Sequence, residues 1–490
     1  MSIVRLERAA TRRRWFLAVF ALTPSLRSTD GWRRAALLFA AAATVLYTAG
    51  LLLLPLATPQ PADSEEPLRI WLAVLGVVAG AAFLGFHAAS LGRPTPLRRL
   101  VWLLLAGLAV RIALLFAPVV LETDHYRYLW DGAVVAHGLD PYGFSPEEVR
   151  LGQADVPLEL RRLADQAAPI LGQVNHPWLT TIYPPLAQAA FAAAHLLSPY
   201  DIRAWRVLLL VADLAAVALL LLLLREARLP AAWVGLYWLN PLPLRESYVA
   251  AHLDLLGVPL VLTSLWLLLR RRWLGSAALM AMATAVKPWP VVLLPLLLRQ
   301  AGGERRAIAA ALTYAVVGLL LWLPMLPAGF AIGSGWQAYA GGWQANTGAF
   351  GLLVAILDHL RLPPGGPAPA LAARLLVAGI LVVVTLRLSW SRSVDAREFL
   401  VRAGTVVATV FLLIPSPFPW YYTWVLPFLV FRPLGALAAY SALLPLYYVH
   451  HRSPWILVLE HGPVWISLGV TWWRSRCDAS FATAASQEVL

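Results

Sequence analysis

The densest chemistry in the chain lies at Leu121-Glu122-Thr123-Asp124-His125-Tyr126-Arg127-Tyr128-Leu129-Trp130-Asp131-Gly132, where acids, a His, an Arg and three aromatics fall within a dozen residues. On a helix, Asp124, Tyr128 and Asp131 share one face. Such a face suits an acid–base or cation site; the plainer reading is an aromatic interface belt with its charges in water. Asp124, Glu122 and Asp131 are the catalytic candidates, with Tyr126, Arg127 and Trp130 as substrate contacts. Next comes His137-Gly138-Leu139-Asp140-Pro141-Tyr142-Gly143, which reads as a turn. Asn175-His176-Pro177-Trp178 precedes Thr181-Ile182-Tyr183-Pro184-Pro185-Leu186. The paired prolines suit a helix start, whose free N–H groups can hold a phosphate. His176 and Tyr183 are candidate contacts there.

Three more groups interrupt apolar sequence. Asn240-Pro241 stands with Arg245, Glu246, His252 and Asp254 in a stretch otherwise apolar. Ionisable groups at membrane depth are costly and mark either a function or a pair. His252 and Asp254, two apart, do not suit a metal pair on a helix. Lys287-Pro288-Trp289-Pro290 carries the one lysine among 39 basic residues. A compact ammonium suits a phosphate, and snorkelling to the interface is the alternative. Finally Gly335-Trp336-Gln337 and Gly341-Gly342-Trp343-Gln344-Ala345-Asn346-Thr347-Gly348 set rings beside amides. Rings stack on sugars and amides bond hydroxyls, so Trp343, Gln344 and Asn346 are candidate sugar contacts; a Gly-rich interface loop is the plain reading. His450, His451 and Arg452 read as an interface cluster.

The elements that must position these residues are membrane helices. Of 490 residues 60% are hydrophobic and only 13% charged. A soluble globule of that length cannot hide so much apolar surface. Composition therefore excludes a cytosolic enzyme, a disulfide scaffold and a disordered chain. Apolar runs near 18 residues or longer recur throughout, which predicts an all-α polytopic protein with about 12–14 membrane segments. The net charge of +13 comes from arginine clusters between apolar runs, where they set topology, so no nucleic-acid partner is expected. The single cysteine, Cys477, excludes a zinc cluster or redox pair.

Residues 1–34 form an Arg-rich, cytoplasmic N-terminus without signal-peptide features. Residues 35–99 hold two helices ahead of residues 100–300, whose external loop is 121–182. Residues 301–473 hold the C-terminal membrane helices and a second external loop, 327–350; residues 474–490 are a polar tail. The arginines at 225–228 and 270–272 both belong inside, which requires a partial or re-entrant segment near 183–206.

Taken together, Asp124-His-Tyr-Arg-Tyr-Leu-Trp-Asp-Gly, Gly-Leu-Asp-Pro-Tyr142, Asn-His176-Pro and Thr-Ile-Tyr-Pro-Pro-Leu-Ala-Gln188 resemble the C-type (GT-C) glycosyltransferases, closest to bacterial polyprenyl-phosphate-mannose-type hexosyltransferases. Asn240-Pro, Glu246, His252-Leu-Asp254 and Ala-Val-Lys287-Pro look like further marks of that family. The resemblance covers about residues 100 to 300 and is poor at naming the sugar. It implies an integral-membrane enzyme of the bacterial cytoplasmic (inner) membrane whose site faces outward. It also implies a polyprenyl-phosphate sugar donor, mannose first, and a lipid or glycan acceptor. Asp124 takes the position of the family's general base, with Glu122 and Asp131 as the other candidates.

The chemistry agrees with this. A lipid phosphate is already a good leaving group, so one carboxylate must take the acceptor proton. Positive charge from Lys287, Arg127 or Arg245 must meet the departing phosphate. Direct attack predicts inversion at C1. No ligand set demands a metal, and a divalent cation near Glu122 and Asp124 stays open. Two other classes remain: a lipid-linked-sugar flippase, which predicts repeat symmetry and charges in both halves, and a lipid-linked-glycan ligase, which would lean on Arg and His in a late external loop.

Overall fold

The computed structural model describes residues 30–57, 65–90, 95–360 and 368–487. Most of the Arg-rich N-terminus and the ends of two expected connections lie outside these residues. Among the described residues the fold is helical and contains no strand.

Five helices are long and apolar enough to cross a bilayer: Ala35–Leu56, Glu65–Ser90, Ile202–Glu226, Glu304–Met325 and Pro369–Ser389. A sixth is counted if Pro241–Val249 and Leu253–Leu269, bent by 109°, form one broken span. Four shorter apolar helices, Pro185–Leu197, Trp273–Val286, Trp289–Ala301 and Ala349–His359, pack among them. The protein is thus an all-α, polytopic membrane protein. Several expected spans are interrupted, and proline explains it, because each one removes a backbone donor and crowds the preceding turn. At 230–250 the chain breaks at Asn240-Pro241, passes through a wide π-turn at Leu244–Val249, and reverses at Ala251 (φ 62). Pro419, Pro427 and Pro445 likewise begin short turns at 419–452. Pro185–Leu197, with 13 residues, rises only about 20 Å, short of the ~30 Å hydrocarbon core.

Between the early helices and Pro185 lies a small folded cap. Helices Asp124–Ala136, Pro146–Arg150, Leu158–Gln166 and Ala168–Leu171 enclose a core of Trp130, Val134, Val149, Leu160, Leu163 and Val174. Ser145 and Glu148 form a capping box that starts the second of these helices. Gly132 lets the first helix lie on Pro185–Leu197, since a Cβ there would sit 2.5 Å from the Phe191 carbonyl oxygen.

Two buried arginines fix where this cap starts. Arg111 Nε donates to Asp213 Oδ2 at 2.5 Å, and Tyr237 (2.6 Å) and Tyr248 (2.9 Å) donate to the same carboxylate. Both charged side chains are fully buried, and the guanidinium lies 3.5 Å from the Trp238 ring centroid. Removing one partner of such a pair costs about 3–5 kcal/mol. Arg206 donates to the carbonyls of Leu115 (3.0 Å), Ala117 (2.5 Å) and Val249 (3.2 Å), which anchors the linker leading to Asp124.

Candidate active site

A cavity of about 320 Å³ opens where the cap meets the membrane helices. Residues 122–287 supply its polar lining: Glu122, Asp124, Arg127, Asn175, His176, Tyr183, Asp254 and Lys287. Its aromatic wall comes from the second half: Trp336, Tyr339, Trp343, Phe418, Trp420, Tyr421 and Tyr447.

Asp124 is the first residue of its helix, where the free N–H groups favour an anion. Asn175 Nδ2 donates to Asp124 Oδ1 at 2.7 Å and the Tyr183 hydroxyl approaches Oδ2 at 3.4 Å. The carboxylate is held on both oxygens yet faces the cavity. Glu122 lies beside it. Burial, and then the charge of Asp124, push the Glu122 carboxyl well above the usual carboxylate range. Glu122 therefore favours its protonated form.

Arg127 lines the cavity, but its donors are spent on the chain: Nη1 donates to the Leu179 carbonyl (3.1 Å), and Nη2 to those of Asn175 (3.3 Å) and His176 (3.1 Å). It clamps the loop that carries Asn175. On that loop His176 adopts a left-handed backbone (φ 45). The same loop is tied to the second half through Gly335, whose N–H donates to Thr180 Oγ1 at 3.0 Å and whose missing Cβ lets it sit against the Thr180 carbonyl.

Lys287 supplies the cavity's ammonium. Its Nζ donates to Asp254 Oδ1 at 2.6 Å and lies 3.8 Å from the Tyr421 ring centroid. Trp424 Nε1 donates to the same Asp254 oxygen at 2.8 Å. Tyr339 and Tyr421 share a hydrogen bond of 2.6 Å between hydroxyls beside it.

Of the residues singled out in the sequence, Asp124, Glu122, Arg127, His176, Tyr183, Asp254, Lys287 and Trp343 meet at this cavity. The others lie elsewhere. Asp131 is buried two turns along from Asp124 and accepts from Gln188 Nε2 at 2.9 Å; burial raises its carboxyl and the Arg127 charge opposes this. Trp130 belongs to the cap core, and Tyr126 packs against it. Arg245 and Glu246 are buried against each other at 3.2 Å, Glu246 accepts from Tyr448 at 2.8 Å, and the guanidinium covers the Tyr448 ring. His252 is buried behind Trp420, its ring centroid 3.8 Å away, with both ring nitrogens unbonded. Gln344 is exposed beside the lining. Asn346 is buried and donates to Glu460 Oε1 (2.7 Å) and the Pro417 carbonyl (3.1 Å), so it ties the Trp343 loop to the Phe418–Tyr421 segment.

The sequence reading left Asn175, Arg111 and Asp213 without roles. A charged residue inside a long apolar run was the signal available for the last two. Among the described residues no three His, Cys, Asp or Glu side chains converge to hold a metal ion.

The cavity thus pairs a held carboxylate with an ammonium inside an aromatic pocket, a setting in which group transfer to a hydroxyl can be run and water limited. Comparison with known proteins agrees. Residues 38–301 match the family described as alpha-(1->6)-mannopyranosyltransferase, N-terminal domain. Alpha-(1->6)-mannopyranosyltransferase A of Mycobacterium tuberculosis is 28% identical over 385 residues, 71% of this chain and 67% of that one. No solved structure matches. The chain belongs to the alpha-(1->6)-mannopyranosyltransferase family, as a membrane glycosyltransferase of the GT-C type.

Proposed function

We propose that the protein transfers mannose from a polyprenyl-phosphate donor to a lipid or glycan acceptor at the outer face of a bacterial cytoplasmic membrane. The reading rests on one observation above all: Asp124 faces the cavity with both oxygens held, on the same cavity as Lys287. Asp124 takes the proton of the acceptor hydroxyl as its oxygen bonds to C1. The C1–O bond to the phosphate breaks, and polyprenyl phosphate leaves with the electron pair toward Lys287. Attack opposite the leaving group inverts C1, so the alpha product of the family's name requires a beta-linked donor. A second apolar cleft supports a lipid-linked donor. It is about 350 Å³, lined by Tyr314, Leu319 and Trp322 of the membrane helix Glu304–Met325 together with Thr284 and Phe330. Trp336, a wall residue of the cavity, stands against Trp322 and Phe330 at 6.0 and 5.7 Å between centroids.

The test is transfer by purified protein in lipid nanodiscs. Labelled polyprenyl-phosphate mannose, glucose and arabinose are offered with a membrane acceptor extract, for wild type and Asp124→Asn. The expected result is mannose transfer by wild type and a loss of about 10²–10⁴-fold in a folded Asp124→Asn. Undiminished transfer by that variant moves the base to Glu122. Transfer from a nucleotide sugar and not from the lipid-linked one overturns the donor.

A further inference from the structure

We propose that Trp178, with His176 and Trp343, forms a subsite at the mouth of the cavity for an acceptor sugar beyond the one that receives the transferred unit. The inference rests on the transferase reading above. The three rings form a row. The His176 centroid lies 4.7 Å from Trp343 at an interplanar angle of 76°, and 5.3 Å from Trp178 at 85°. Trp343 and His176 line the cavity, while Trp178 lies beyond it and is 60% exposed. The row therefore leads from the reacting space to solvent.

A single exposed ring means little by itself. Here its mount is fixed. Arg127 holds the carbonyls on either side, at His176 and Leu179, and the Glu147 N–H donates to the Pro177 carbonyl at 2.9 Å. The exposed neighbours on this loop include Gln173 and His176, polar side chains that are costly in hydrocarbon. A rigid loop thus presents an apolar ring face among polar groups. That surface fits the C–H face of a pyranose, which loses water against the ring while its hydroxyls stay wet.

Volume gives the second argument. About 320 Å³ is at the small end for ligand sites, roughly 300–1,000 Å³. It leaves room for the transferred sugar and the unit it joins. The rest of a longer acceptor must cross the mouth, and Trp178 stands there.

The test uses the full chain in nanodiscs with methyl mannoside and alpha-linked di- and trimannosides as acceptors. KM for each is measured with polyprenyl-phosphate mannose, and binding of the trimannoside alone by saturation-transfer NMR. The expected result is a fall in KM of about three- to tenfold as the acceptor lengthens in wild type. Trp178→Ala abolishes the length dependence and the trimannoside NMR signal, and Trp178→Phe restores part of both. A KM independent of length in wild type, or full length dependence in Trp178→Ala, overturns the subsite. If no acceptor is mannosylated but trimannoside binding still depends on Trp178, the subsite stands and the donor assignment falls. Loss of both transfer and binding in wild type overturns both.

Discussion

Lys287 invites a test that separates holding the fold from serving the leaving group. Its ammonium contacts Asp254 at 2.6 Å; the acid side chain is 2% exposed and the lysine 17%. In Lys287→Met the Asp254 carboxylate keeps only the Trp424 N–H at 2.8 Å. An uncompensated buried charge of this kind costs about 3–5 kcal/mol. That lowers Tm by several degrees, followed through the intrinsic fluorescence of the chain's 22 tryptophans. Adding Asp254→Asn removes the stranded charge and still offers Trp424 an oxygen, so most of the stability returns. Activity does not return. Without a cation facing the departing phosphate, transfer stays down by about 10²–10³-fold, as for other single electrostatic contacts to developing charge. Recovery of both Tm and kcat in the double variant would refute the leaving-group role. A wild-type Tm in Lys287→Met alone would refute the buried pair.

Two other perturbations test the neighbourhood of Asp124. Asn175→Leu removes the 2.7 Å hydrogen bond to Oδ1, worth about 1.5–3 kcal/mol because its acceptor is charged. The loss falls chiefly on kcat, by about 10- to 100-fold, with Asn175→Gln intermediate in steady-state assays. Glu122→Gln tests the raised carboxyl. Because the folded state favours its proton, wild type loses stability as pH climbs from the ordinary carboxylate range, about 4.5, up through the raised value. The glutamine variant has no such proton to lose, so its Tm against pH is flatter over that window and the two proteins converge in acid.

Much of this site was legible because charge is expensive in apolar sequence. Asp254 and Lys287 stand out for that reason, and Asp124 stands out within a dense cluster of acids and aromatics in a polar loop. Helical spacing was less informative. Asp131 does share a face with Asp124, yet two turns into the cap that face meets Gln188 and the interior, whereas the helix start faces the cavity. Arg245 and Glu246 read in sequence as a function or a pair, and they lie buried against each other at 3.2 Å where the helix widens at Leu244–Val249. The aromatic wall was not legible as a wall. Tyr339, Tyr421 and Tyr447 are ordinary interface residues in sequence, and only long-range packing brings them over Asp124. Proline content showed that spans would break, but not that the breaks would be buried turns.

The division of the cavity between residues 122–287 and 336–447 has a consequence for biogenesis. Asp124, Arg127 and Lys287 are all translated by residue 287, but Tyr339, Trp343, Tyr421 and Tyr447 emerge later. Asn240 is held by Ser441 at 2.9 Å and Glu246 by Tyr448, so the middle of the chain acquires its partners from segments translated afterwards. A nascent chain paused just after residue 287 carries these groups without a walled chamber. The cavity is complete only when these later segments are laid in place.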